Sequence, residues 1–342
     1  MIPPFIQGSI APVFTVFDEN RRLDEAGQRN LLDFLVARGG ISAFFLRCGL
    51  GQMYTYSEDD VRLMIRLATD HLRGRAPVML GCAGVWDRNR AHLPDPKVYT
   101  GQAVAFGQCA LEHGADAAVF TLPECIRPAA GESPHDVVVR YFETLSHAIE
   151  LPIFIYQAPQ TDPDYMVTRQ TMARLAQIPH VHGIKVSTSD AEYLCDLGEV
   201  LEGTDAALVC GCETVYYAGL IAGARGVIGQ GTTINPSVIN AVADAVGRGD
   251  LDAAVRAQRV VNLLVREARN PVSYFLRYAN EQGYAMPNYQ RNANNPYVKE
   301  RPPLTDSDYE HYKALHERAL DELAAMSQAG GRRPDVDARW KQ

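Results

Sequence analysis

The sequence predicts an α/β fold, a (β/α)8 TIM barrel with a C-terminal α-helical extension. Three observations carry that prediction. Short apolar runs alternate with longer amphipathic stretches between residues 9 and 230. Eight such runs occur, each followed by a helical pattern, as a barrel requires. The rival is a doubly wound parallel sheet, which should open on a Gly-rich dinucleotide turn. The first run, GSIAPVFTVFDEN, contains no G-x-G-x-x-G.

The runs are SIAPVFTVF (9–17), SAFFLRC (42–48), APVMLGCAG (76–84), DAAVFTL (116–122), LPIFIYQ (151–157), HGIKVS (182–187), AALVCG (206–211) and RGVIGQ (225–230). Between them lie helical patterns such as EAGQRNLLDFLVARGG and EDDVRLMIRLATDHL. GQAVAFGQCALEHG spaces Ala, Phe, Cys and Leu by three and four residues and stops at a glycine, as a helix C-terminus does. Past the eighth run, helical patterns near 236–247, 251–268, 272–282 and 306–327 make up the extension. The expected division is a barrel core over 1–235, a closing helix and helical extension over 236–330, and a flexible tail over 331–342. Two stretches interrupt the rhythm. Residues 84–99 form a long loop after the third run, on the face where barrel active sites sit. Residues 283–303 are rich in Pro and Asn. Each reads either as a lid or oligomer contact, or as an ordinary surface insertion.

Composition narrows the function classes. In 342 residues, 46% are hydrophobic and 22% charged, which excludes disordered, collagenous and coiled-coil chains. The net charge of −8 offers no basic stripe for nucleic acid. No run approaches the roughly 18 apolar residues of a membrane helix, and the start lacks the cationic and apolar regions of a signal peptide. Seven scattered cysteines do not suggest a disulfide framework and point to a reducing cytoplasm. Cys210 and Cys212 form a C-x-C without a second pair at zinc-site spacing, so alternating strand residues explain them better than a metal. A soluble protein acting on a small molecule is the expectation.

Chemistry gathers at the ends of the runs. Only five lysines occur, and Lys185 alone lies inside an apolar run, in HGIKVS. Pointing into a barrel, a lysine must be paired or used, because burial opposes its charged form and frees the amine as a nucleophile for carbonyl carbons. Pointing outward, it would snorkel between helices. Tyr156 ends the preceding run. It either meets Lys185 at the barrel mouth and relays protons, or caps a barrel layer. In CGLGQ (48–52), Gly49 and Gly51 bracket Leu50 and let a tight turn present N–H groups to an anion. Gly211 and Ile228 fall at the same rim.

These residues together resemble the dihydrodipicolinate synthase / N-acetylneuraminate lyase family of Schiff-base-forming lyases over about residues 8–305. The resemblance rests on SIAPVFTVFDENRRLD, on CGLGQ at a G-x-x-G-E loop, on IYQAP at Y-N-x-P, on GIKVS at G-I-K-x-[ST], and on GARGVIGQ at G-x-x-G-x-I-S. RPPL resembles the family's C-terminal region. It implies that Lys185 forms an imine with a 2-oxo acid such as pyruvate and that Tyr156 moves protons. It further implies that the N–H groups of Gly49 and Leu50 hold the acid's carboxylate and that the Ile228 carbonyl assists near the tyrosine. No cofactor beyond the covalent imine, no metal and a homotetramer built as a dimer of dimers are implied as well.

The departures shape the expected chemistry. Gly49 or Leu50 stands where dihydrodipicolinate synthases carry a hydroxyl residue, and Gln52 replaces the loop's Glu. Glu124-Cys125 replaces a Tyr pair of which one member reaches a neighbouring subunit's site, and the arginine for the second substrate's carboxylate falls near Thr161. True dihydrodipicolinate synthesis is therefore not expected. Glu124 reads either as an acid/base of raised pKa for dehydration or retro-aldol cleavage, or as a solvated glutamate beside Arg127. Arg88, Arg90 or His92 could meet a substrate tail. The leading expectation is a class I lyase that cleaves an aldol or dehydrates a 2-oxo-3-deoxy sugar acid. The alternatives are a 2-oxo acid or sugar-acid sensor that has lost activity, and a dihydrodipicolinate synthase with unusual substrate contacts.

Overall fold

A computed structural model describes residues 1–291 and 303–329 of the chain. Eight parallel strands close into a barrel in sequence order. They are β1 (Gly8–Pro12), β2 (Ala43–Leu46), β3 (Val78–Gly81), β4 (Ala117–Thr121), β5 (Ile153–Gln157), β6 (Val181–Val186), β7 (Ala207–Cys210) and β8 (Gly226–Val227), with β8 pairing back onto β1. Outside run α1 (Glu25–Arg38), α2 (Glu58–Leu72), α3 (Pro96–Glu112), α4 (Pro134–Ala148), α5 (Arg169–Leu175), α6 (Ala191–Leu201) and α7 (Tyr216–Ile221). After β8 come α8 (Gln230–Ile234), α9 (Pro236–Gly247), α10 (Leu251–Glu267), α11 (Pro271–Glu281) and α12 (Asp306–Ala329). This is the predicted TIM barrel with its C-terminal helical extension. Among the described residues no helix is long and apolar enough to cross a membrane.

Several predicted runs extend past their strands. The run 9–17 leaves the ladder after Pro12 yet stays buried, because Phe14 packs edge-on against Phe275 of α11 at 5.6 Å. Apolarity there marks a packed loop, not a longer strand. The loop predicted over 84–99 is shorter than expected, since α3 begins inside it. The Asp95 side chain accepts from the N–H groups of Lys97 and Val98, and Pro96 opens the helix where its missing N–H costs nothing. Most of the 283–303 stretch and the tail 331–342 lie outside the described residues.

Strand alternation divides the apolar residues into two cores. Ile10, Phe45, Met79, Val119, Phe154, Tyr156 and Val209 fill the barrel interior. Phe44, Leu80, Phe120, Ile155, Ile184 and Leu208 face the helices and join the core that α9 to α12 also enter. Lys185 lies beside Tyr156 in the β5–β6 register and beside Val209 in the β6–β7 register, which places it on the inward row. Gly183, two residues earlier on the same row, is bare for a reason. A Cβ there would lie 2.7 Å from the Phe154 ring and 2.5 Å from the Ala207 carbonyl. Phe154 therefore fills the floor beneath Lys185.

The extension docks through a buried polar chain. Arg38 Nη2 lies 3.0 Å from His316 Nε2, and His316 Nδ1 lies 3.2 Å from Tyr274 Oη. Arg38 can only donate, so Nε2 is the bare nitrogen and Nδ1 carries the proton toward Tyr274. Burial, then the charge of Arg38, push the imidazole down from 6.5 to about 3. The unfolded chain thus takes up this proton first as the pH falls, and native stability declines from about pH 6.5 downward. In chemical denaturation, the wild type should lose stability between pH 6.5 and 5 more steeply than His316→Gln. The slopes should differ by about 1 kcal/mol per pH unit. Equal slopes would show that His316 is not held neutral.

Candidate functional site

Lys185 is buried, 7% exposed, at the C-terminal mouth of the barrel. Its Nζ donates to Ser187 Oγ at 2.8 Å and sits over the Tyr156 ring, 3.9 Å from the centroid. Among the described residues it has no carboxylate within ion-pair distance. The amine is thus held by a hydroxyl and a ring face, neither of which fixes it as a structural charge. Tyr156 is held in turn by an edge-on contact with Phe45, centroids 6.0 Å apart.

The Gly49–Leu50 turn closes over Tyr156. A Cβ on Gly49 would stand 3.1 Å from the Tyr156 hydroxyl, so the bare glycine lets the turn and the phenol approach. The Gly49 N–H meets no acceptor among the described residues. The Leu50 N–H is differently placed: it faces the Cys48 thiol, as does the Gly51 N–H, 3.4 Å from Sγ. Burial pushes that thiol up to about 11, so it stays neutral. Of the two backbone donors expected for an anion, Gly49 is the free one.

Lys185, Tyr156, Gly49, Leu50, Gly211 and Ile228 all line one cavity of about 450 Å3. Gly211 belongs there sterically, because a Cβ would meet the Val186 carbonyl at 2.3 Å where the end of β6 passes. The sequence reading missed Glu213, which lines the same cavity and is 5% exposed. Its Oε1 accepts from the Gly231 N–H at 2.9 Å, and Gly229 gives it room, since a Cβ there would lie 1.9 Å from Oε2. Burial raises this carboxyl above the usual range, opposed by the Gly231 hydrogen bond and more weakly by Lys185. The signal was available: CGCE follows β7 as CGLGQ follows β2. Among the described residues no group of three or more His, Cys, Asp or Glu side chains is poised to hold a metal ion.

The structure corrects the reading of Glu124 as a solvated side chain beside Arg127. Glu124 is buried rather than solvated, and it binds Arg88 and Arg90 rather than Arg127. Oε1 accepts from Arg88 Nη2 at 2.7 Å. Oε2 accepts from Arg90 Nη2 at 3.1 Å and from the Asp162 N–H at 2.9 Å. Arg88 also donates to the Pro159 and Gln160 carbonyls. Glu124 is therefore a clamp joining the loops after β3, β4 and β5, and it does not line the Lys185 cavity. Breaking such a buried pair by removing one partner typically costs about 3–5 kcal/mol. The same contacts commit Arg88 and occupy Arg90, which removes them as unencumbered ligands for a substrate tail.

Residues 5–319 match the model of the dihydrodipicolinate synthetase family. The 4-hydroxy-tetrahydrodipicolinate synthase of Herminiimonas arsenicoxydans is 30% identical over 241 residues, covering 70% of this chain and 75% of that protein. The enzyme of the same name from Dechloromonas aromatica is 28% identical over 250 residues, covering 73% and 78%. Among solved structures, the sialic acid aldolase of Ruminococcus gnavus superposes with a TM-score of 0.76 at 16% identity, covering 94% of this chain and 99% of that one. A prophage protein of the dihydrodipicolinic acid synthase family from E. coli K12, in complex with pyruvate, gives 0.71 at 21% identity, covering 92% and 98%. These structures share the fold. By the match over nearly its whole length, the chain belongs to the dihydrodipicolinate synthetase family, a family of lyases.

Proposed function

We propose that the protein is a class I lyase acting through an imine between Lys185 and a 2-oxo acid of pyruvate type. It would cleave or form an aldol, or dehydrate a 2-oxo-3-deoxy sugar acid. The observation that carries this reading is a buried lysine amine over a tyrosine ring, without a carboxylate partner, at the mouth of the barrel. Nζ adds to C2, the carbonyl oxygen leaves as water, and the imine forms. The protonated imine then takes up the electrons released when C3 loses a proton or when the C3–C4 bond breaks. The imine is itself the electron sink, so the reading calls for no cofactor. Ser187, which accepts from Nζ, and Tyr156, whose ring lies under it, carry the protons, and the Gly49 N–H receives the carboxylate. A sensor that only binds has little need of such an amine.

The cavity lining supports a neutral, hydroxylated partner for the 2-oxo acid. Among the described residues Lys185 is its one cation and Glu213 its one carboxyl group, while Ser187, Thr188, Ser189, Thr214 and Gln230 supply hydroxyls and an amide. A partner ending in a carboxylate would meet Glu213 and, among the described residues of the lining, no arginine. The names of the curated relatives favour a second reading, condensation of pyruvate with aspartate semialdehyde to 4-hydroxy-tetrahydrodipicolinate. The family likeness supports a homotetramer, which light scattering reads directly, and the seven free cysteines support a reducing, cytoplasmic setting.

Borohydride reduction in the presence of pyruvate should add one pyruvate-derived mass increment to the peptide carrying Lys185, and none to Lys185→Ala. Tyr156→Phe should still be trapped yet lose roughly 10²–10⁴-fold in turnover. No adduct with any 2-oxo acid would overturn the imine reading. In a panel of aldehydes offered with pyruvate, neutral polyhydroxylated ones should exceed aspartate semialdehyde by about tenfold or more in kcat/KM, and Glu213→Gln should narrow that gap. Aspartate semialdehyde as the best acceptor would establish the second reading instead.

A further inference from the structure

The turn that presents Gly49 is braced from two sides, and only one brace is local. From the loop after β1, Thr15 Oγ1 donates to the Gly51 carbonyl at 2.6 Å and accepts from Tyr56 Oη at 2.7 Å. Gly51 has no room to move inward, because a Cβ there would lie 2.8 Å from the Val13 carbonyl. The second brace comes from 239 residues downstream. The Arg291 N–H donates to Gln52 Oε1 at 3.1 Å, and Gln52 holds a left-handed φ of 57° at the end of the turn. The Arg291 guanidinium donates to the Thr55 carbonyl at 3.0 Å and to both oxygens of Asp60 at 2.6 and 3.2 Å. Its Nε donates to the Arg21 carbonyl at 2.9 Å, and its plane lies over Phe17, 4.7 Å from the ring centroid. Phe17 is itself bridged to Tyr289.

We propose that Arg291 is a positioning residue for substrate binding, holding the 48–56 segment so that the Gly49 N–H faces the 2-oxo acid's carboxylate. The inference rests on the imine reading above and extends it to a residue that does not line the cavity. It also gives Gln52 a role. A neutral amide oxygen accepts a single backbone N–H here, while the anionic partner of the arginine is Asp60, at the start of α2. Burial works against the Asp60 carboxylate, and the hydrogen bond from Arg291, with those from Ser57, more than offsets it and holds the group below its usual range. A planar fork with several donors in fixed directions suits this set of acceptors, and a lysine ammonium does not reproduce it.

The test uses the full chain and three variants, Arg291→Ala, Arg291→Lys and Asp60→Asn. Borohydride trapping is measured as a function of pyruvate concentration, with thermal melting in parallel. Arg277→Ala, which loses the ion pairs joining α11 to Asp306 and Glu310 of α12 and does not line the cavity, serves as the stability control. The expected result is a half-saturating pyruvate concentration raised roughly tenfold or more in all three variants, with the trapped yield at saturation unchanged. The Arg277 control should keep the wild-type value whatever its melting temperature. Wild-type concentration dependence in Arg291→Ala would overturn the positioning role while leaving the imine reading intact. Failure of the unsubstituted protein to trap any 2-oxo acid would overturn that reading, and this inference with it.

Discussion

Everything at the mouth of this barrel depends on a lysine that the strand register forces inward with no carboxylate within ion-pair distance among the described residues. An inward row of side chains in a small barrel is packed by apolar residues, and an ammonium among them is stabilised only by what surrounds it. Here the surroundings are the Ser187 hydroxyl and the face of Tyr156, with Phe154 beneath in the space left by Gly183. The Glu213 carboxyl sits in the same cavity, tied to the Gly231 N–H rather than to the lysine. A structural lysine would be paired; among the described residues this one has no carboxylate within ion-pair distance, as the proposed imine chemistry requires.

Much of this was legible in the sequence because it follows from period and position. Alternation gave the eight strands, and the helices of the extension begin and end within two residues of their predicted spans, since Asp, Asn and Pro mark their starts. Lys185 stood out as the single lysine in an apolar run, and Tyr156 as the residue ending the run before it. Strand ends were less legible. Residues 13–17 are as apolar as the strand before them, because they pack against α11 rather than water.

What the sequence could not show were contacts between distant loops. Glu124 reads as a loop residue beside Arg127, and only the folded chain brings Arg88 and Arg90 to it across the barrel rim. Gln52 reads as a lost charge until Arg291 arrives from the C-terminal segment. Glu213 was hidden for a simpler reason. It follows the Cys210–Cys212 pair that drew attention to metal chemistry, and its carboxylate is let in by the bare Gly229 and held by the Gly231 N–H. In each case the sequence named the charges, and long-range packing decided their partners.

The central claim is that Lys185 converts a 2-oxo acid into an imine whose C3 protons Tyr156 can move. Exchange of the pyruvate methyl protons in D2O, followed by proton NMR with no second substrate present, reads that step directly. The account predicts enzyme-dependent loss of the methyl signal, absent in Lys185→Ala and slowed in Tyr156→Phe. A methyl signal that persists at the uncatalysed rate with the wild-type protein, or that decays equally with Lys185→Ala, would contradict it.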